Sequence, residues 1–248
     1  MINEKELLLR GFVTPDDFPE ETYEPLQAAL DLAVSLDIRK VILSEDYTAK
    51  GAILLPAGIH LVIENASLTA DLKAKAPANC SFFLDHIYIE GRNGTVAGDI
   101  SLYNTMHAVI EKLDIDGNVT LSFARKTRIE DVTLSGSFTV GRGTAVLIAQ
   151  RLNAKDAVIE STDKGEDVIG LEPTVRSVAF RDSAVKNGVL LKAAEDYGLL
   201  NVQVDHLSGD VTIGDESAPV PADNYFNLTV TDIDGKVTCL AETKNLSL

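Results

Sequence analysis

The sequence predicts an all-β protein: a single right-handed parallel β-helix, that is, a single-stranded β-solenoid, closed at its N-terminal end by a capping α-helix. Three observations predict it. A template of apolar, any, Gly, any, apolar, Ser/Thr, apolar recurs at residues 96–102, 115–121, 134–140, 207–213 and 233–239, with blurred copies at 154–158 and 185–189. The central slot is Gly98, Gly117, Gly136, Asp156, Asn187, Gly209 and Gly235, at spacings of 19, 19, 20, 31, 22 and 26 residues. That is the length of a circuit of short strands and tight corners, and about half a propeller blade. Around each slot apolar and polar residues alternate with period two, as in a strand with one buried face.

Length and composition agree. With 248 residues and 45% hydrophobic content the chain can bury a core. One domain spans residues 1–248, with an N-terminal segment and cap helix over 1–40 and coils, about eight of them, over 41–248. The formal charge of −16 argues against nucleic acid as a partner, and no apolar run approaches a membrane span. The charged start, Met1-Ile2-Asn3-Glu4-Lys5-Glu6, is not a secretory signal. It fits a cytoplasmic protein or a trimmed secreted one. Cys80 and Cys239 stand 159 residues apart and match no metal spacing, so both are expected to be plain thiols.

The elements follow in order. Pro25 opens a helix over residues 23–36, with Leu26, Ala29, Leu30, Ala33 and Val34 on one stripe. An open solenoid end exposes strand edges and an apolar interior, which such a helix would cover. Strands begin at Val41-Ile42-Leu43 and continue through Ile59-His60-Leu61-Val62-Ile63. In the slot, Gly, Asn and Asp all tolerate a left-handed backbone, so these positions are expected to be corners with positive φ. Residues 161–173, rich in Asp, Glu and Gly, interrupt the repeat; they are expected to form a lateral loop and one wall of any groove.

The stretch 26–68, a helix, a strand, Leu55-Pro56-Ala57-Gly58 and a run ending Asn65-Ala66-Ser67-Leu68, resembles the start of pectin-lyase-like right-handed β-helix proteins. Within them it is most similar to polygalacturonases, the family 28 glycoside hydrolases. The resemblance implies a protein that binds or processes an anionic sugar polymer, as a glycosidase or polysaccharide lyase. The family's catalytic segments are Asn-Thr-Asp, Asp-Asp, Gly-His-Gly and Arg-Ile-Lys. This chain has neither of the last two; its Asp-Asp is Asp16-Asp17, ahead of the cap helix, and Asn104-Thr105-Met106 lacks the carboxylate.

A replacement site must use outward-facing rows. Counting back from the slot places His206 and Asp232 in one row with Asp114, and Asp234 in a second row with Asp116. Asp232 and Asp234, about 7 Å apart on one strand face, have the spacing of an acid and a base, with His206 stacked over Asp232. Asp114 and Asp116 form the fallback pair. No cofactor is required, although a carboxylate cluster of this kind could take Ca²⁺. Arg125, Lys126, Arg128, Arg142 and Arg151 fall on three successive coils and, if they share a side, form a basic stripe suited to sugar carboxylates; otherwise they pair with neighbouring acids such as Glu130 and Asp131. The alternative is a non-catalytic solenoid, a scaffold or homo-oligomerisation module; the lack of Trp and the presence of only six Tyr favour it over a sugar-binding site.

Overall fold

The computed structural model describes residues 4–19, 22–75, 84–161, 174–216 and 220–248. The loop expected at 161–173 lies almost wholly outside these, as does Cys80. The described chain winds into a parallel β-helix with two sheets running along its axis. One holds the long strands: Ile87–Ala97, His107–Asp116, Lys126–Leu134, Val146–Ala154, Val175–Val185, Leu199–Ser208 and Tyr225–Asp234, flanked by shorter ones. The other holds three- to five-residue strands such as Val119–Ser122, Ser137–Val140, Asp156–Glu160 and Val189–Lys192. Every pairing among the described residues is parallel, and from Ile87 to Cys239 each coil gives one strand to each sheet.

The circuit of short strands expected from the sequence appears as two sheets because each long strand carries a bend. Inward-facing positions alternate up to Ile110 and resume at Leu113, past the buried carboxylate Glu111; Ile129 and Val132, Ala149 and Leu152, Phe180 and Ser183 repeat the three-residue step. Between them sits a left-handed residue: Lys112, Asp131, Arg151, Asp182, His206 and Asp232 have φ between 49° and 54°. They stack coil on coil, so the extra residue recurs at one height and turns the sheet around the core.

The glycine slots correct the expectation. Gly98 and Gly209 have positive φ (154° and 141°), but Gly117, Gly136 and Gly235 do not. What they share is a close neighbour. A Cβ on Gly117 would stand 2.2 Å from the Gly98 carbonyl oxygen, one on Gly136 2.5 Å from that of Gly117, and one on Gly235 2.3 Å from that of Gly209. The slot is glycine because consecutive coils touch there through backbone. The blurred copies also shift. Lys155, not Asp156, follows Gly136, its N–H donating to the Gly136 carbonyl, and Gly209 stacks on Val185 rather than Asn187. The corner from Val185 to Val189 is two residues longer than the one from Gly209 to Val211, although Val189 and Val211 pair.

Inside, Ile89, Ile110, Ile129, Ala149, Phe180, Val204 and Val230 form one buried column, and Ile100, Val119, Phe138, Ala157, Val189 and Val211 another. Phe180 and Phe138 each stack on an alanine and meet across the core at 5.6 Å between ring centroids.

The cap helix is Pro25–Ser35, with Leu26, Ala29, Leu30 and Ala33 buried against the first coil. Its Gln27 side chain imitates a strand edge, accepting from the Leu54 N–H (2.7 Å) and donating to the Leu54 carbonyl (2.9 Å). Glu24 accepts from the Tyr47 hydroxyl and from the Lys50 N–H. Burial and that carboxylate push the Tyr47 hydroxyl up to about 12. No helix among the described residues is long and apolar enough to cross a membrane.

Candidate functional site

His206 and Asp232 are register partners, with Nε2 3.2 Å from Oδ2, while His206 Nδ1 lies 3.2 Å from Asp205, which also accepts from the Thr231 hydroxyl at 2.6 Å. Their row differs from the one counted in sequence: both belong to the column of strand bends, beside Asp182 and Arg151, and not to the row of Asp114. Asp114 instead shares its row with Asp234. The bond to Asp205 raises His206, and the Thr231 hydrogen bond together with the imidazole lowers Asp205 against a smaller opposing desolvation. That is the signature of an ion pair. Asp232, with 72% of its side chain exposed, and Asp234 face open water. Asp114 and Asp116 are exposed as well; Asp114 borders a shallow cleft with Arg92, Lys112 and Asp131, and Asp116 accepts from the Ser135 hydroxyl.

The basic stripe is not a free cationic surface. Arg128 bridges Glu111 and Glu130 at 2.7 Å each, and Arg151 pairs with Glu130 and Asp131. Arg142 is only 4% exposed, its guanidinium over the Phe123 ring, and Arg125 is half-buried. On this face Arg92, Arg128 and Arg151 each find a carboxylate one coil away.

A further concavity lies beside the N-terminal coils. A groove of about 540 Å³ is lined by Arg39, Lys40, His60, His86, Tyr88 and His107 over a floor that includes Ile38, Ile59, Ile87 and Val109. It thus holds three of the chain's four histidines. Lys40, His60, Tyr88 and Val109 are successive rungs of one column, while His107 starts one long strand and His86 immediately precedes the adjacent one. His60 and Tyr88 stack flat, with centroids 4.1 Å apart and planes within 4°. Behind them, His60 Nε2 meets Glu90 at 2.9 Å, Arg92 holds Glu90 at 2.7 Å, and the Tyr88 hydroxyl donates to Glu111. Desolvation lowers His60 despite Glu90, so its imidazole favours the neutral form. Burial and Glu111 raise the Tyr88 hydroxyl well above its ordinary value. Rows counted from the glycine slot cover only the second half of each long strand, which is why these residues escaped. The signal was the 28-residue step from His60 to Tyr88 and the 21-residue step from His86 to His107, each about one coil.

The carboxylates that move here all move down. Glu90 is lowered by Arg92 and His60 against its own desolvation, and Asp85 by His107 and His86 against the same opposition. Their stabilisation is therefore complete above the ordinary carboxylate range and is lost as pH falls through the folded-state values. In urea unfolding, Glu90→Gln is expected to be less stable than wild type at pH 7, with the gap narrowing steadily below about pH 4.

Fold and site together define a parallel β-helix with one imidazole-rich groove near its capped end. The sequence matches no protein-family model and no curated protein. In structure the chain is similar to PfbA, a surface adhesin of Streptococcus pneumoniae, at a TM-score of 0.55 and 8% identity over 96% of this chain and 93% of that one. That likeness supports the β-helix fold along nearly the whole chain.

Proposed function

We propose that this β-helix is a binding protein for an acidic oligo- or polysaccharide, held in the groove of Arg39, Lys40, His60, His86, Tyr88 and His107 and not cleaved there. One observation carries the reading. In a chain of charge −16 this groove has two permanent cations, three imidazoles and a tyrosine in its lining and no carboxylate; the nearby acids Asp37, Asp85 and Glu90 pair with Arg39, His107 and His60. Arginine and lysine suit sugar carboxylates, and the apolar floor suits the C–H faces of a pyranose. The resemblance of residues 26–68 to polygalacturonases and the adhesin neighbour both support binding along a β-helix. Cleavage is not part of the proposal, because inverting hydrolysis needs a carboxylic acid with a raised pKa beside a base, and Glu90 and Asp85 are displaced the other way.

Isotherms against a panel of acidic and neutral oligosaccharides test it. Oligogalacturonate should bind and neutral chains should not, with Lys40→Ala or Tyr88→Ala weakening binding about tenfold or more. Asp232→Asn/Asp234→Asn should leave the isotherm unchanged. Acidic chains that bind no better than neutral ones, or binding lost only in the Asp232/Asp234 variant, would overturn the proposal.

A further inference from the structure

We infer that Asp85, His86 and His107, at the rim of the groove, form a binding site for a first-row divalent transition metal such as Zn²⁺. One donor atom from each of the three lies within 4.8 Å of the others. Asp85 Oδ1 is 2.5 Å from His107 Nδ1, and Oδ2 is 3.1 Å from His86 Nδ1. Tetrahedral ligands at about 2.1 Å from a metal stand roughly 3.4 Å from one another, so small rotations of the side chains would receive the ion.

The backbone holds the three in place. His86 is left-handed (φ 55°), and its N–H donates to Asp85 Oδ1 at 2.9 Å. The Asp85 carbonyl accepts from Gly58 at 2.7 Å, and Leu84 bridges to Thr105. His107 lies one coil on, its ring 5.1 Å from that of His86. Two imidazoles and one carboxylate suit Zn²⁺, Co²⁺ or Ni²⁺, whereas Ca²⁺ prefers six or more oxygens. His86 and His107 line the cleft, which leaves the remaining coordination positions facing its space, where water or a ligand's oxygen would complete the shell. A second cluster, Asp205, His206 and Asp232, brings its donors equally close, but it has one imidazole and does not line this groove. It serves as the control.

The experiment is titration of the full chain with ZnCl₂ by calorimetry and with Co²⁺ by visible absorption. The expected result is one metal per chain, with the d–d bands of a nitrogen/oxygen site and no thiolate charge-transfer band. That spectrum excludes binding at the exposed Cys239 and at Cys80. His107→Ala and His86→Ala should each weaken binding by a hundredfold or so, beyond the usual effect of losing an outer-shell partner. His206→Ala should change nothing, and thermal unfolding without metal should show all variants folded. No saturable binding in wild type, wild-type affinity in the His86→Ala/His107→Ala double variant, or loss in His206→Ala alone would overturn the assignment. Titrating metal without sugar separates this result from the fate of the sugar-binding reading.

Discussion

Gly117→Ala is expected to destabilise the protein by more than about 3 kcal/mol, although its backbone dihedrals would accept a side chain. The added methyl would stand 2.2 Å from the Gly98 carbonyl oxygen and 2.6 Å from its carbon. Both belong to backbone tied into the neighbouring coil, so no rotamer relieves the contact. Gly117→Asn should cost at least as much. A left-handed corner would tolerate Asn, so the pair of variants separates close approach from torsional strain. Gly51→Ala is the control: nothing lies within 4 Å of its Cβ, and the change should be neutral or stabilising by less than about 1 kcal/mol. Urea unfolding midpoints at constant slope measure all three.

The second large effect belongs to the core. Phe180→Ala should cost about 3–5 kcal/mol, the range for emptying a fully buried aromatic site. Phe180 is 0% exposed and its neighbour on the preceding coil is Ala149, so on that side only a methyl group borders the cavity. Phe138 is in the same position beside Ala157. A double-mutant cycle between the two rings, 5.6 Å apart and tilted by 58°, should return a coupling of about 0.5–1.5 kcal/mol. Additive costs would mean that the rings do not share one core layer.

These two cases mark what the sequence could tell. The repeat, the alternation and the cap helix are signals of burial, and burial writes itself as apolar spacing: Leu26, Ala29, Leu30 and Ala33 read as a stripe and pack as one. The bends of the long strands were not legible, because their left-handed positions mix Asp131, Asp182, Asp232 and His206, which tolerate that conformation, with Lys112 and Arg151, which do not favour it, so no residue type marks the column. Register around the coil imposes the conformation there. The glycine slot was found for one physical reason and is occupied for another. The groove was missed because its members sit in the first halves of strands, out of phase with the template that revealed the fold. Pairing of the arginines with Glu130 and Asp131 was legible as local charge, whereas Glu111, which holds Arg128 from one coil away, was not.

Histidine NMR tests the central claim most directly, since the four imidazoles divide between the groove and a site outside it. On titration with oligogalacturonate, the ring resonances of His60, His86 and His107 should shift together along one saturating curve. His206, on the bend column of a later long strand, should stay fixed. Movement of His206 with the three groove histidines silent, or saturable binding that moves none of the four, would contradict the assignment of this groove as the binding site.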